Sequence, residues 1–459
     1  MHTLRSPMVL ATAVLASLTM LTVSVFDANT PANAQQLRGS ASKTVEVSKE
    51  IPGSSMQKNI AARLQKRLRN TVSGASPSIA ALTNAIAVRQ DLLKKKVNIQ
   101  ISSENGKLGT WEASTQKYPQ WIIPKFSLTE TTFAIDSVQI QNTIVSEKIV
   151  DLPAPVDITL TALQPIEVTK DVIRANTTGV AKSGYVAIPE SLSIGIEIAF
   201  AKNTAELQFA PVKQAGKITN QTGIDLGKLE LWATGRSNFK GSDYGRISNV
   251  RKAFREHVNN TVVAPGETFS FNETLGGPVS QGRGWSMAKV IFNGGDLEYA
   301  PGGGICQAST TTYRAALNAG FPVVQRAAHS LYVTYYAAHG VGIDATIFPG
   351  KQDLQFLNDS GNYLLIQSYD DGFEAYVNIY GTPDGRTASL DGPYFASTAP
   401  VGMTYNDRPL RSNEILWMHS VHYPDGKVLE SKISSQYNKG IPRYVVTEYG
   451  KKALHASAL

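Results

Sequence analysis

The chain contains a single cysteine, Cys306, among its 459 residues. A lone cysteine cannot form a disulfide within the chain, so packing of the core has to hold the fold together. The composition is suited to this, because 42% of the residues are hydrophobic and 18% are charged. A chain of this length and composition is expected to be globular, with two or three domains. The thiol itself is then intermolecular, inert or reactive.

The N-terminus predicts export. Arg5 precedes an apolar stretch at residues 8–26, and Ala32-Asn33-Ala34 has the small-residue spacing of a signal-peptide cleavage site. Residues 1–34 are therefore predicted to be a signal peptide, and the protein is expected to be secreted or held in the cell envelope. The apolar stretch is longer than the core of a usual signal peptide, so an uncleaved signal would associate the protein with a membrane.

Composition divides the next part of the chain into two segments. Residues 35–96 are predicted to be a linker of small polar residues followed by two basic helices. Residues 97–228 contain short runs rich in Ile, Val and Thr between turn signals, which is typical of packed β-hairpins. One of these runs, at residues 193–198, is predicted to be a strand. This segment carries no catalytic or ligating cluster, so an accessory role is expected for it.

The second half of the chain is predicted to hold the functional domain. Residues 229–381 mix helical and strand patterns and are predicted to form a catalytic α+β domain. Residues 382–459 are predicted to be a C-terminal β extension, with a hairpin at residues 417–428. The predicted class of the whole chain is therefore α+β.

Several partners and cofactors are not expected. The formal charge of +7 is spread along the chain, and neither a basic run interleaved with aromatic residues nor a known nucleic-acid motif occurs. The glycine loop at residues 276–284 lacks the lysine and hydroxyl residue of a phosphate-binding loop. The histidines and carboxylates near Cys306 are not spaced as metal ligands. We therefore expect no metal and no organic cofactor, while the sequence leaves the oligomeric state open.

The position of Cys306 favours a nucleophile. It follows Gly302, Gly303 and Gly304 and begins a helical pattern that ends at Gly320. The free N–H groups and the positive dipole at the start of a helix stabilise a thiolate. Glycines pack poorly in a core but let the backbone approach a ligand, so Gly303 and Gly304 are predicted to bind substrate. A buried cysteine that acts as a small apolar residue is the alternative.

A base and an orienting carboxylate are available after the cysteine helix. His329 is the predicted base, because it comes at the start of an apolar strand predicted at residues 330–336. His339 lies in a glycine-rich turn, where a histidine needs no functional reason. Asp344 is the predicted orienting group, and the order cysteine, histidine, aspartate is that of many papain-like enzymes. The alternatives are a hydrogen-bonded core histidine and a carboxylate that caps a turn.

Further groups are predicted to contact the substrate. The backbone N–H groups of Cys306 and Gln307, together with the Gln307 side chain, could form an oxyanion site. Arg283, on the glycine loop, suits a substrate carboxylate, and Tyr332 suits the wall of a groove. A solubilising surface arginine and a core tyrosine are the alternatives for these two residues.

Four ordered blocks carry a family pattern: YGRISNV at residues 244–250, APGETFSFN at 264–272, GGGICQAST at 302–310 and HSL at 329–331. Together they resemble the VanW family, named for a protein of vancomycin-resistance clusters, over roughly residues 229–381. The resemblance implies an exported cell-envelope protein, and some family members act as peptidoglycan L,D-transpeptidases through the motif cysteine.

For this chain the resemblance implies a cysteine acyl transferase that acts on peptidoglycan stem peptides. Cys306 would form a thioester with a stem peptide and pass the acyl group to an amine. Water as the acceptor would make the protein an L,D-carboxypeptidase. The alternative is a non-catalytic envelope protein that binds peptidoglycan or acts as a scaffold.

Overall fold

A computed structural model describes residues 55–71, 78–103, 106–126, 131–147, 152–166, 169, 171–292, 294–450 and 454–457. The predicted signal peptide and most of the predicted linker lie outside the described residues. The α-helices in chain order are α1 Ser55–Thr71, α2 Ile79–Leu92, α3 Ser137–Glu147, α4 Pro189–Lys202, α5 Tyr244–Lys252, α6 Phe271–Thr274, α7 Ile305–Ala319 and α8 Arg443–Tyr449. Shorter 3-10 helices lie at Pro119–Trp121, Gln281–Arg283 and Thr334–His339, and a π-helix at Ala253–Val258 continues α5.

The strands of the first half are β1 Lys96–Ser103, β2 Gly106–Ser114, β3 Ile122–Phe126, β4 Thr131–Ile135, β5 Ile158–Pro165, β6 Ile173–Thr177, β7 Gly184–Val186, β8 Glu206–Phe209, β9 Val212–Gln214 and β10 Ile218–Asn220. Those of the second half are β11 Glu230–Asn238, β12 Thr261–Val263, β13 Thr268–Ser270, β14 Met287–Phe292, β15 Asp296–Pro301, β16 Val323–Gln325, β17 Gln355–Leu357, β18 Leu364–Asp371, β19 Glu374–Gly381, β20 Thr387–Phe395, β21 Thr404–Tyr405, β22 Arg408–Pro409, β23 Glu414–His422, β24 Val428–Gln436 and β25 Leu454–Ser457. This mixture of helices and a strand-rich body agrees with the predicted α+β class at that coarse level. None of the helices in the described ranges is long and apolar enough to cross a membrane.

The described residues form two compact units whose boundaries differ from the predicted ones. One unit holds the residues up to 154 together with 185–214, and the other holds 155–184 together with 215–459. The difference arises because β5, β6 and β10, which lie within the predicted accessory segment, belong to a seven-stranded sheet in the order β10-β5-β6-β12-β18-β19-β11. The predicted C-terminal extension also belongs to this second unit, since Trp417 and Tyr437 are part of its core.

The first unit contains the two predicted basic helices as α1 and α2, and its core is built around Trp121 and Phe200. The predicted strand at residues 193–198 is wrong, because this run lies inside α4. Pro189 begins the helix, and Asn203 ends it in the left-handed conformation with φ 55°. Burial of Leu192, Ile196 and Phe200 at helical spacing outweighs the strand preference of the β-branched residues.

In the second unit, α7 packs closely on β11 of the seven-stranded sheet. The contact requires a glycine, because a Cβ on Gly235 of β11 would lie 2.1 Å from the Thr311 carbonyl oxygen. Gly320 ends α7 in the left-handed conformation with φ 75°, as its sequence position predicts. The sheet and α7 therefore fix the helix whose first turn carries Cys306.

The segment that follows α7 is not the strand predicted at residues 330–336. It contains the 3-10 helix Thr334–His339 instead. The reason is the buried Arg314 of α7, whose guanidinium donates to the carbonyls of Tyr336, Gly340 and Ile343, each at 2.9 Å. Three carbonyls of a short segment can converge on one cation only if the backbone curls.

Two hairpins border this segment. β14 pairs with β15, which runs directly into the glycines before Cys306. β23 pairs with β24, and this is the predicted C-terminal hairpin, although it extends beyond residues 417–428. The second hairpin holds the loop before Asp344, because the Trp417 Nε1 donates to the Val341 carbonyl at 2.7 Å and the Ser435 hydroxyl donates to the Gly342 carbonyl at 2.6 Å.

Candidate active site

Cys306 lies in the first turn of α7, directly after glycines that no other residue could replace without strain. Gly304 is the N-cap with φ 110°, and a Cβ on Gly303 would lie 2.6 Å from the Lys289 carbonyl oxygen. The Gln307 N–H donates to the Gly304 carbonyl at 2.9 Å, whereas the Cys306 N–H has no backbone acceptor among the described residues. Of the two predicted oxyanion N–H groups, that of Cys306 is therefore the one left to face a substrate.

The structure brings Cys306, His329 and Asp344 together. The His329 ring interacts with Cys306 on one side, and its Nδ1 makes a short hydrogen bond with Asp344 Oδ2 on the other. The His329 backbone N–H also donates to Oδ2, at 2.8 Å. His329 and Asp344 are buried, with 6% and 1% of their surfaces exposed, while Cys306 is partly exposed. A thiol, an imidazole and a carboxylate thus follow one another, which is the order of groups in a cysteine-dependent acyl-transfer site.

Two more groups contact the sulfur from the segment after Asp344. Thr346 Oγ1 lies 3.5 Å from the Cys306 Sγ, and the Ile347 carbonyl oxygen lies 3.7 Å from it. As a thiol, Cys306 can donate to this carbonyl; as a thiolate, it can accept from the Thr346 hydroxyl. Both contacts fix the direction of the sulfur.

The electrostatics favour an ion pair of thiolate and imidazolium. Burial alone would raise the pKa of the Cys306 thiol, but the hydrogen bond and charge of His329 outweigh it and hold that pKa below its ordinary value. Burial would lower the pKa of His329, but Asp344 and Cys306 raise it to about 9. Burial opposes ionisation of Asp344, yet its hydrogen bond to His329 and the nearby Arg326 keep the pKa of the carboxyl below its usual range. A thiolate stabilised in this way is the nucleophilic form of cysteine.

Sequence reasoning missed the residues that hold the carboxylate. The Tyr437 hydroxyl donates to Asp344 Oδ1 at 3.0 Å, and the Arg326 Nη2 lies 3.6 Å from the same oxygen. Arg326 also donates from Nε to the Asp344 backbone carbonyl at 2.6 Å. Tyr437 is 93 residues from Asp344 in the chain, and no local pattern marks either partner.

The two residues after Tyr437 connect the base to the β14–β15 hairpin. The Asn438 N–H donates to the Ser330 carbonyl at 2.7 Å, next to His329, and the Asn438 side chain donates to the Gly294 carbonyl. The Lys439 Nζ donates to the Gly295 carbonyl at 2.7 Å. The tip of this hairpin is thus tied to the same short segment that contacts Asp344.

Two side chains that were expected to bind substrate contact other residues of the protein instead. Gln307 is fully buried, and its Nε2 donates to the Ser237 hydroxyl at 3.0 Å. Tyr332 packs edge to face on Tyr437 at 5.4 Å between ring centroids, and its buried hydroxyl has no partner within the described ranges. Gln307 therefore has a structural partner, and Tyr332 supports the residue that bonds Asp344.

Arg283 and Arg246 differ in what they contact. Arg283, the predicted carboxylate-binding residue, donates to the carbonyls of Leu275 and Pro278 at 3.3 and 3.4 Å, and none of these contacts is with Cys306, His329 or Asp344. Arg246 of α5, which sequence reasoning missed, donates to the Gln307 side-chain oxygen at 2.7 Å, beside the cysteine. The YGRISNV block was a signal for Arg246, but it gave no indication of what the residue faces.

The arrangement is suited to covalent acyl transfer. It provides an activated thiol, a histidine that can give and take a proton, and a free N–H at the start of a helix for a developing oxyanion. In the part of the chain that the structure describes, no group of three or more His, Cys, Asp or Glu side chains is placed to hold a metal ion.

The part of the chain that contains the site is similar to one family of known proteins. Residues 245–380 match the family model described as VanW like protein. Over 144 residues the chain is 34% identical to the uncharacterized protein YoaR of Bacillus subtilis (strain 168), a match that covers 31% of this chain and 46% of that protein. The chain thus spans less than half the length of this relative. No solved structure matches the chain.

Proposed function

We propose that the VanW-like domain that this chain contains at residues 245–380 is a cysteine acyl transferase acting on peptidoglycan stem peptides. The observation that carries the proposal is the arrangement of the partly exposed Cys306, in the first turn of α7, beside the buried His329, which in turn contacts the buried Asp344. The choice of stem peptides as substrates is supported by the VanW likeness. The signal-peptide pattern at residues 1–34 supports a location outside the cytoplasm.

The first half of the reaction forms a thioester. The Cys306 thiolate attacks the carbonyl carbon of the bond between an L-centre and a terminal D-residue, and the carbonyl electron pair moves to oxygen, where the Cys306 N–H can stabilise it. As the C–N bond breaks, the His329 imidazolium gives its proton to the departing amine. The products are a Cys306 thioester and a free D-amino acid.

The second half transfers the acyl group. His329, now neutral, accepts a proton from the amine of a neighbouring stem peptide as that amine attacks the thioester carbon. The C–S bond breaks and returns the thiolate, and a new amide cross-link is released. With water as the attacking group, the product is a shortened stem peptide with a free carboxylate.

Asp344 acts through His329 in both halves. Its Oδ2 accepts from Nδ1, which leaves the other ring nitrogen to exchange protons with the sulfur and the amines. Tyr437 and Arg326 hold the carboxylate in place on its other side.

The test is mass analysis of products after the purified full chain is incubated with disaccharide tetrapeptides. We expect loss of the terminal residue, cross-linked dimers, and a protein adduct of the mass of the acyl group. Cys306→Ala should abolish all three, because it removes the nucleophile and little volume. The matched control is Ser309→Ala in the next turn of α7, since the buried Ser309 hydroxyl has no partner among the described residues.

Two outcomes would contradict the proposal. Product formation by a folded Cys306→Ala protein would exclude the thiol as the nucleophile. Binding of the tetrapeptide by the unchanged protein, with neither adduct nor product, would instead support the alternative of a non-catalytic peptidoglycan-binding protein.

A further inference from the structure

We propose that Arg246 forms a carboxylate-binding subsite beside Cys306, which selects donors that end in a free α-carboxylate next to the scissile bond. The identity of the donor rests on the proposed function, whereas the existence of an anion subsite beside the thiol does not. The contacts of Arg246, its charge surroundings and the chemistry of the donor each support the proposal.

Arg246 contacts the residues on either side of Cys306. A Cβ on Gly304 would lie 2.9 Å from the Arg246 Cγ, so the aliphatic part of the side chain lies against the residue two positions before the cysteine. The Arg246 Nη2 donates to the side-chain oxygen of Gln307, the next residue after the cysteine, at 2.7 Å. The guanidinium is therefore placed next to the first turn of α7.

The guanidinium is held in one orientation. Its Nη1 donates to the Ser242 hydroxyl at 2.6 Å, and its central carbon lies 4.3 Å from the centre of the Tyr335 ring. Gln307 is itself fixed, because it is buried and donates to Ser237. A preorganised fork of this kind loses little freedom when it binds a planar anion.

Within the described ranges, the Arg246 guanidinium has no acidic partner. The ion pairs of the described residues include those of Arg251 with Asp370, Arg386 with Asp384 and Arg408 with Glu414, but none of them includes Arg246. The Asp243 carboxylate accepts the Arg246 backbone N–H as the cap of α5, not the guanidinium.

The Arg246 side chain is partly buried, and a charge that loses part of its contact with water is stabilised by an opposite charge. The start of α7 adds a second positive pole beside it. An anionic ligand would complete this arrangement.

A free α-carboxylate fits the position. In a donor that loses its last residue, the carboxylate is separated from the scissile carbonyl carbon only by the amide nitrogen and one Cα. A group that binds it must therefore lie close to the nucleophile, as Arg246 does. A peptide bond in the interior of a chain would present a neutral amide instead, which a guanidinium binds less strongly. The subsite thus predicts attack on terminal residues rather than internal ones.

The experiment compares alkylation of Cys306 by iodoacetate, which carries a carboxylate, and by the neutral iodoacetamide. At neutral pH and low salt, we expect Arg246→Gln to slow the iodoacetate reaction about ten- to a hundredfold, the range for a hydrogen bond to a charged group, and to change the iodoacetamide rate little. Arg246→Lys should restore part of the preference. Arg411→Gln, which removes the same charge at an exposed position, should leave both rates unchanged.

The outcomes separate this proposal from the proposed function. If Arg246→Gln slows the iodoacetate and iodoacetamide reactions equally, or slows neither, the subsite is overturned even if stem peptides are processed. An Arg246-dependent preference for iodoacetate without turnover of any stem peptide upholds the subsite and overturns the acyl-transfer function. A Cys306 that reacts with neither reagent overturns both.

If Arg246→Gln does not fold, the subsite is tested by the salt dependence of the two alkylation rates in the unchanged protein. The ratio of the iodoacetate rate to the iodoacetamide rate must fall as ionic strength rises, because salt screens the guanidinium. A ratio that is independent of salt overturns the subsite.

Discussion

Two histidines in the second unit each contact a carboxylate, and they differ in what surrounds the pair. His329 and Asp344 are buried, with 6% and 2% of their side chains exposed, and the thiol of Cys306 lies on the other side of the ring. His339 and Glu374 are 2.9 Å apart but 19% and 29% exposed. The two pairs therefore share a hydrogen bond but not an environment; burial and a neighbouring thiol distinguish the first pair.

The pair of His339 and Glu374 is part of a larger set of polar contacts. Glu374 also accepts from the Asn238 side chain at 2.7 Å, and Arg236 lies 3.9 Å from it. Burial opposes ionisation of Glu374, but the bonds to His339 and Asn238 keep the pKa of its carboxyl below the usual range. The adjoining cavity, of about 90 Å³, is lined by Arg236, Arg314 and His339 and is too small for a peptide. We infer that this pair stabilises the fold.

The largest expected effect separates the two histidines. His329→Ala should lower kcat for stem-peptide processing by about two to four decades, the usual scale of general acid and base catalysis, whereas His339→Ala should leave it within about twofold. Steady-state kinetics with purified disaccharide tetrapeptides measure both. A larger loss in His339→Ala would reverse the comparison.

The two carboxylates should differ by about a hundredfold. Asp344→Asn removes the charge that orients and stabilises the His329 imidazolium, so turnover should fall about a hundredfold or more, while Glu374→Gln should have little effect. The same Asp344 variant should move the pH at which Cys306 becomes reactive to iodoacetamide upward, a change that a purely structural defect would not produce. An unchanged alkylation profile would show that Asp344 does not act through the pair.

The dependence of turnover on pH is the next prediction. On the acidic and basic limbs of the profile, turnover should change about tenfold for each pH unit. Asp344 and Cys306 raise the pKa of His329 to about 9, so above that pH the imidazolium is lost and the leaving amine cannot be protonated. On the acidic side, activity should fall as pH drops through the lowered pKa of the Cys306 thiol. Both limbs of the profile reflect the coupled titration of Cys306 and His329, so His339→Ala should not shift them. A basic limb that stays flat beyond pH 10 would contradict the assignment.

The smallest effect concerns a residue that holds Asp344. Tyr437→Phe removes the hydroxyl that donates to Asp344 Oδ1 and should lower turnover several-fold and the free energy of unfolding by about 1 kcal/mol. Tyr394→Phe is the matched control, because the Tyr394 hydroxyl also donates to an aspartate, Asp391 at 2.5 Å. Equal turnover losses in the two variants would remove Tyr437 from the site.

The parts of the site that the sequence predicts are those set by local chain geometry or by the family pattern. The glycines before Cys306 and the end of α7 at Gly320 are local signals, and the structure has both. The predicted VanW resemblance is confirmed over residues 245–380. The conformation after His329 could not be predicted, because the buried Arg314 decides it from a different element.

What the sequence could not predict depends on contacts between distant segments. β5 pairs with β10, although residues 185–214 of the other unit lie between them in the chain. The strands of this sheet are therefore not contiguous in sequence, and no change in composition marks its boundary. The support of Asp344 likewise comes from Tyr437 and Arg326, which have no sequence pattern in common with it. Arg246 is part of a family block, but besides the nearby Ser242 its neighbours Gln307 and Tyr335 come from two other parts of the chain.

The three consecutive residues Tyr437, Asn438 and Lys439 have a mechanical consequence. The first contacts Asp344, the second the carbonyls of Ser330 and Gly294, and the third the carbonyl of Gly295. Neighbouring Cα atoms are fixed at about 3.8 Å, so none of these contacts can shift far without moving the others. A displacement of the tip of the β14–β15 hairpin would therefore pull on the Asp344 carboxylate as well, so the position of the hairpin and the alignment of His329 become one degree of freedom instead of two.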